Sequence, residues 1–365
     1  MKLSILGIRG VPAKHGGFET FAEKLALYLV KRNWQVTVYC QEHGTGKVYD
    51  SNWQGIDLVH VPVILTGSAG SVLFDLKTAL MAARSDSVIL SLGYGTSIFA
   101  VVHRLRRRKI LINMDGIEWR RKQWSLPLRA WLWANEIIGC KVGNHLIADH
   151  PEIKRHLCSR VNSSKITMIP YGAEDVTDAD AGLLERLGIR PNEFALVVAR
   201  PEKDNLILEI VSAFSLKTRK IKLVVLGNYS PNENPYHKRV LEVAADTVIF
   251  PGAIYEKPIV DALRYYCRFY VHGHKAGGTN PSLVEALGAG SPVLAHDNKY
   301  NRWVAGEGAL YFSDVDTCAS LITELEKDDR QIKEMRVSSK QRHQDRFTWD
   351  QVLHEYESLL MQWAR

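Results

Sequence analysis

Residues 271–295 read VHGHKAGGTNPSLVEALGAGSPVLA, and the reading of this stretch decides the fold. An apolar strand end at Val271 passes through a glycine-rich turn into a short amphipathic helix from about Pro281. A second glycine-bearing break then leads to an apolar strand ending at Ala295. Strand, turn and helix in that order form a β-α unit. Gly277 and Gly278 have no Cβ, so the backbone there can take positive φ and come close to a ligand. Thr279, Asn280, Pro281 and Ser282 are N-cap and first-turn residues. Amides freed at the helix start, together with the helix dipole, favour an anion in the turn. Glu285 stands one turn further in, where a phosphate repels it and neutral hydroxyls suit it. A ribose offers two, at about 1.5–3 kcal/mol for each charge-assisted bond shielded from water. The pattern predicts a nucleoside diphosphate. An ordinary helix start with a solvated glutamate stays open on the glycine turn alone, because a lone glycine-rich loop is a weak motif.

The segment NPSLVEALGAGSPVLA resembles the donor site of the retaining glycosyltransferases of family four. The resemblance implies a GT-B fold: α/β, with two Rossmann-like domains whose parallel sheets face each other across a cleft. In that family the glutamate preceding A-x-A-x-G-x-P-V contacts the nucleotide ribose, and Glu285 matches it. A second family glutamate, eight residues earlier, contacts the transferred sugar; here Gly277 stands in its place. The local form GGTNPSLVEAL resembles a branch of bacterial rhamnosyltransferases in polysaccharide assembly, which implies dTDP-β-L-rhamnose as donor. A 6-deoxy sugar presents different hydroxyls, so a missing carboxylate is chemically reasonable.

The chain has 365 residues, which suggests two domains. It is 46% hydrophobic and 24% charged, as globular proteins are, without low-complexity tracts. MKLSILGIRG is too short an apolar run for a signal peptide, and no window approaches the roughly 18 apolar residues of a spanning helix. Five scattered cysteines read as reduced thiols. A cytoplasmic protein is expected, soluble or peripheral on the inner face of the plasma membrane. The net charge of +7 is uneven: residues 1–172 hold 23 Lys and Arg against 12 Asp and Glu, the remainder 24 against 28. The basic half suits nucleic acid, a membrane surface or a phosphorylated acceptor.

Leu3 to Ile8 reads as a strand, and Gly16-Gly17 opens a helix to about Arg32. The spacing is not G-x-G-x-x-G, and the next strand, Val36 to Cys40, lacks a terminal acidic residue, which argues against a dinucleotide. GIRGVPAKHGGFETF resembles the same rhamnosyltransferase branch, where the glycine pair, here Gly16 and Gly17, faces the cleft. Arg9, Lys14 and His15 would add positive charge. Strands at 58–63, 88–92, 110–114, 146–148 and 166–169 complete a first parallel sheet. Asp115 and Glu118 sit at a strand end, where open α/β sheets place ligands. Each is a candidate to contact an acceptor sugar or, equally, a helix cap.

WRRKQWSLPLRAWLWANEII, residues 119–138, mixes Trp119, Trp124, Trp131 and Trp133 with basic residues, as an anionic membrane interface would demand. The competing reading makes the tryptophans core. RNA binding has no supporting motif, and no nucleic acid is expected as a partner.

Pro170-Tyr171-Gly172 resembles the family hinge, and the polar run 174–181 reads as a linker. The expected division is 1–172, an acceptor-binding domain, and 173–348, a nucleotide-sugar-binding domain; by resemblance, the final helix 349–365 packs back on the first. In the second domain, strands at 194–199, 222–226, 248–250, 269–272, 293–295 and 310–312 alternate with helices. Where the first ends, the family supplies an arginine and, five residues later, a lysine for the donor diphosphate. Arg200 matches the first; Asn205 stands in the second place, with Lys203 or Lys275 as substitutes.

The catalytic candidates are thus Arg200, Glu285 and Asp115. The nucleotide-binding candidates are Gly16, Gly17, Lys203, Gly277, Gly278, Thr279, Asn280, Ser282 and Glu285. No Asp, Glu or His cluster has metal-ligand spacing, so no metal and no resident cofactor is expected beyond the nucleotide-sugar donor. The expected partners are that donor, a saccharide or lipid-linked acceptor and an anionic membrane surface. The reading is a retaining glycosyltransferase, with a GT-B sugar-nucleotide epimerase, a transferase using a UDP- or GDP-sugar, and a basic binding protein kept as alternatives.

Overall fold

The computed structural model describes residues 1–13, 16–121, 124–275 and 277–364. The chain divides into two compact units, residues 1–171 with 349–365, and residues 172–348.

The first unit contains β1 (Lys2–Leu6), α1 (Gly17–Val30), β2 (Gln35–His43), β3 (Tyr49–Trp53), β4 (Ile56–Val63), α2 (Gly67–Ala82), β5 (Val88–Leu92) and α3 (Val101–Leu105). Next come β6 (Ile110–Asn113), α4 (Leu126–Val142), β7 (His145–Ala148), α5 (Pro151–Cys158) and β8 (Ile166–Met168). The sheet order is β3-β4-β2-β1-β5-β6-β7-β8, parallel except where β3 runs antiparallel to β4. That hairpin has no counterpart in the sequence reading. Its strand is almost wholly exposed and shows no apolar alternation. Gln54 and Gly55, both at positive φ, make the two-residue turn that hairpins prefer. β1 stops before Ile8 because Gly7 takes φ +83, and a Cβ there would meet the Leu92 carbonyl oxygen at 2.1 Å.

The second unit contains β9 (Phe194–Val198), α6 (Ile207–Ser215), β10 (Lys222–Leu226), α7 (Pro235–Glu242), β11 (Val248–Ile249) and α8 (Lys257–Tyr266). It continues with β12 (Phe269–His272), α9 (Pro281–Gly288), β13 (Val293–His296), α10 (Lys299–Ala305), β14 (Leu310–Phe312), α11 (Val315–Leu325) and α12 (Asp329–Arg346). All six strands are parallel, in the order β11-β10-β9-β12-β13-β14. Along β9, Phe194 and Leu196 enter one core while Ala195 and Val197 enter another on the opposite face. A sheet covered on both sides needs that near-continuous apolar strand. Residues 174–181, read from sequence as a linker, instead lie against this unit. Ala173 N–H donates to the Phe347 carbonyl at 2.8 Å, Val176 N–H donates to the Gly288 carbonyl at 3.0 Å, and Lys340 pairs with Asp175.

The last helix, α13 (Trp349–Trp363), belongs to the first unit. Val352, Leu353, Tyr356, Leu359 and Leu360 join its core; Tyr356 lies 4.5 Å from the Phe21 ring and accepts from Asn113 Nδ2 at 2.9 Å.

Candidate functional site

In both units the strand order reverses beside the first strand, between β1 and β5 and between β9 and β12. Open α/β sheets bind ligands outside the carboxyl ends of the strands at such a switch point. In the second unit the two loops that flank it are those read from sequence, residues 199–206 and 273–280.

Three contacts lock these loops together. Asn205 Nδ2 donates to the Arg200 carbonyl at 2.8 Å, which orients its Oδ1 toward His274 Nδ1 at 2.5 Å. Lys275 N–H donates to the Asp204 carbonyl at 2.9 Å. Gly273 packs on the Asn205 carbonyl so closely that a Cβ would lie 2.1 Å from its oxygen. From the far side, Asn298 and Asn301 each donate to the His274 carbonyl at 2.9 Å. Asn205, 5% exposed, is therefore the pin between the loops. Lys203 and Lys275 are exposed on either side of it.

Arg200 is 73% exposed along its side chain and lies 3.4 Å from Glu202. Gly277 takes φ +142, and a Cβ there would come within 3.1 Å of His274 Nε2, so the backbone and that ring both oppose a glutamate at this position. Thr279 is buried.

α9 starts as its sequence predicts but spends its amides differently. Asn280 Oδ1 accepts from Ser282 N–H at 3.0 Å, and the Asn280 carbonyl accepts from Leu283 and Val284 at 3.1 and 3.2 Å. The helix amides expected to point into the turn are thus consumed by their own cap. What the site offers an anion here is the helix dipole and the flanking lysines. The Ser282 hydroxyl also faces inward, 3.0 Å from the Val198 carbonyl and 2.8 Å from Tyr270 Oη. Ser282 is not brought to the turn, whereas Gly277, Gly278, Thr279 and Asn280 form it.

Glu285 is 35% exposed, and Arg264 of α8 approaches its Oε2 at 2.5 Å from below. Sequence reasoning missed Arg264. Its only trace is an arginine next to Leu263 and four residues after Val260, on the apolar face of the helix. Burial also drives the imidazole of His272, at the end of β12, well below its ordinary pKa, so it stays neutral.

In the first unit, Gly16 takes φ +104 at the start of α1, and Gly17 is its first residue. Arg9 N–H donates to Glu19 at 3.3 Å and Ala13 N–H to Glu23 at 2.6 Å, so two acidic residues of α1 already occupy amides of this loop. Lys14 and His15 lie outside the described residues.

Asp115 follows β6 at φ +48, its N–H donating to Asn113 Oδ1 at 2.9 Å; burial raises its carboxyl pKa against the pull of the Gly116 amide and Arg121. Glu118 N–H donates to Tyr94 Oη at 2.9 Å, and its carboxylate pairs with Arg121 at 3.0 Å. The tryptophans divide. Trp119 Nε1 donates to buried Glu136 at 2.8 Å, Trp131 Nε1 donates to the Gly95 carbonyl at 2.8 Å, and Trp124 buries its Nε1. Trp131 and Trp133 are exposed with Leu126 and Leu128.

Each unit is an α/β domain whose largely parallel sheet reverses at its first strand, and two such domains in one chain are what a GT-B fold is built from. Residues 185–344 match the family described as Glycosyl transferases group 1, so the second unit carries a domain of that family. Residues 1–174 match a domain of unknown function, DUF1972.

Among solved structures, sucrose-phosphate synthase (tll1590) from Thermosynechococcus elongatus superposes with a TM-score of 0.80 at 16% identity, over 99% of this chain and 98% of that one. Anabaena Alr3699/HepE in complex with UDP and glucose superposes with a TM-score of 0.78 at 15% identity, over 99% of each chain. A curated relative, alpha-monoglucosyldiacylglycerol synthase of Streptococcus pneumoniae (strain ATCC BAA-255 / R6), is 31% identical over 156 residues, 39% of this chain. The match spans about a third, 34%, of the length of that relative.

Proposed function

We propose that this protein is a metal-independent, retaining glycosyltransferase that moves a sugar from a nucleotide donor to a saccharide or lipid-linked saccharide, in the synthesis of a bacterial cell-surface polysaccharide. The observation that carries the proposal is the match of residues 185–344 to the group 1 family, together with a switch point at which Asn205 ties the 199–206 loop to His274 of the loop that leads to the 277–280 turn. The cations and the turn take the diphosphate, and Glu285 takes the pentose. As the bond from the sugar to the diphosphate breaks, its electron pair stays on the leaving oxygen, and the positive groups stabilise that growing charge. A diphosphate oxygen accepts the proton of the acceptor hydroxyl, which attacks the same face of the sugar, so the products are a glycoside of retained configuration and a protonated nucleoside diphosphate. Asp115 would contact the acceptor.

The proposed donor is dTDP-β-L-rhamnose, giving a β-rhamnoside; the glycine at 277, where a carboxylate would read a sugar hydroxyl, supports a 6-deoxy sugar. A second donor, UDP-glucose, is favoured by the UDP and glucose bound to the Anabaena protein and by the name of the Streptococcus relative. Thermal-shift titration separates them. The true donor, at about 100 times its dissociation constant, raises stability by about 2.7 kcal/mol. If dTDP-, UDP- and GDP-sugars all leave the melting curve in place, the transferase reading fails, and conversion of donor alone without acceptor would turn it into an epimerase.

Among the described residues no helix is long and apolar enough to cross a membrane. The proposed location is cytoplasmic, with Leu126, Leu128 and Trp133 of α4 meeting an anionic bilayer. The protein should co-sediment with phosphatidylglycerol vesicles and lose most of that binding on Leu126→Ser with Trp133→Ser. Equal sedimentation of the two would remove the membrane from the proposal.

A further inference from the structure

Glu285 poses an electrostatic problem. A carboxylate next to a diphosphate raises the free energy of the bound state unless something cancels its charge, and in the proposed function the cations of the 199–206 turn serve the diphosphate itself.

Arg264 supplies the counter-charge. It projects from the buried face of α8, is 6% exposed, and sets Nη2 2.5 Å from Glu285 Oε2 and 3.5 Å from Ser282 Oγ. Its base is fixed from behind, where the Arg264 carbonyl accepts from Ser291 Oγ at 2.7 Å. Its Nε is buried without a partner. As a stability device this is poor. A buried guanidinium with an unpaired N–H carries a desolvation cost that an apolar residue of similar volume would not. The half-exposed carboxylate it serves would be solvated without it. The arrangement makes sense if the charge is needed by something that binds above.

We infer that Arg264 is a positioning residue for the nucleotide: it cancels the charge of Glu285 and occupies Oε2, leaving Oε1 to accept a pentose hydroxyl. The inference rests on the reading of Glu285 as the pentose contact given above. It makes the pair electrically silent toward the diphosphate and fixes the direction in which the free oxygen faces. Removing Arg264 should therefore harm binding more than removing the charge of Glu285, because it leaves an anion facing an anion. Neutralising Glu285 in the same molecule should then restore part of what was lost.

Isothermal titration of the full chain with dTDP, and separately with UDP, tests this, with folding checked by circular dichroism. Glu285→Gln should weaken the bound nucleotide about 10-fold, one hydrogen bond to a charged group being downgraded. Arg264→Met should weaken it about 30-fold or more, because an uncancelled carboxylate then faces the diphosphate and such like-charge juxtaposition costs several kcal/mol. The double variant should return to about the level of Glu285→Gln alone. A role limited to packing would give no such rescue, so a double variant that binds no better than Arg264→Met overturns the inference. If Arg264→Met does not fold, Arg264→Lys decides: with the charge kept, affinity stays within about 5-fold of the parent, and a loss beyond that of Glu285→Gln overturns the inference. Two results would strike the underlying reading instead: no heat with either nucleotide in the parent protein, or an unchanged affinity in Glu285→Gln.

Discussion

Glu136→Ala should lower the stability of the first unit by about 3–5 kcal/mol, the cost of removing one partner from a buried charge network. For a unit of this size that is a fall in melting temperature of roughly 10 °C. Glu136 is 1% exposed and accepts three contacts: from Trp119 Nε1 at 2.8 Å, from His156 Nε2 at 2.9 Å and from Arg160 Nε at 3.3 Å. Arg129 then holds the Trp119 carbonyl at 2.8 Å, so the network reaches the turn that carries Glu118 and Arg121. Burial works to raise the Glu136 pKa, but the bonds from His156 and Trp119 and the charge of Arg160 outweigh it, and the net shift is downward. A carboxyl depressed in the folded state contributes stability above its unfolded pKa and loses it as pH falls through the folded value. The gap between parent and Glu136→Ala should therefore be widest near neutrality and shrink below the ordinary carboxylate range. Urea titrations at several pH values read this directly; equal stability of the two proteins at pH 7 would show the network to be energetically idle.

That network also shows where reading the sequence stops. WRRKQWSLPLRAWLWANEII announces an amphipathic, tryptophan-rich segment, and α4 does occupy much of it. Periodicity reports which face is covered, and composition reports what a surface could meet. Neither reports that Trp119 finds Glu136 seventeen residues on, or that Trp131 finds the Gly95 carbonyl. The two parallel sheets were far more legible, because a strand buried on both faces must be an apolar run and must end at a turn. Val88–Leu92, Lys222–Leu226, Phe269–His272 and Leu310–Phe312 have the limits their composition predicts. So does α9, whose Asn-Pro start is a helix signal that needs no tertiary partner. β3 escaped because an exposed edge strand needs no apolar pattern. At the candidate site the same division holds. The glycine turn and Glu285 stood out by local chemistry, whereas Arg264 and the bond from His274 to Asn205 are long-range pairings.

Gly273→Ala should have a large effect for a single added methyl. Space rather than dihedral preference is the constraint, since no positive φ is required there. The new methyl would meet the Asn205 carbonyl oxygen at 2.1 Å, Leu206 Cβ at 2.9 Å and Ile210 Cδ1 at 2.9 Å. A backbone oxygen cannot rotate away as a side chain can, so the loops at the switch point must separate. Separation breaks the bond from His274 to Asn205 and the bond from Lys275 N–H to the Asp204 carbonyl, and it leaves buried Asn205 without one of its partners. Overpacking costs about 1–3 kcal/mol, and an unsatisfied buried polar group adds about as much again, for a total of about 3 kcal/mol or more. Gly46→Ala, where the nearest atom lies 3.6 Å away, should stay within about 0.5 kcal/mol and serves as the control. Because the separation displaces Lys203 and Lys275 from the turn they flank, nucleotide affinity should fall about 10-fold or more even in protein that remains folded, a loss of about 1.4 kcal/mol. Affinity kept at the parent level in a destabilised Gly273→Ala would mean that the two loops act independently, and the nucleotide would then have to be held by one of them alone.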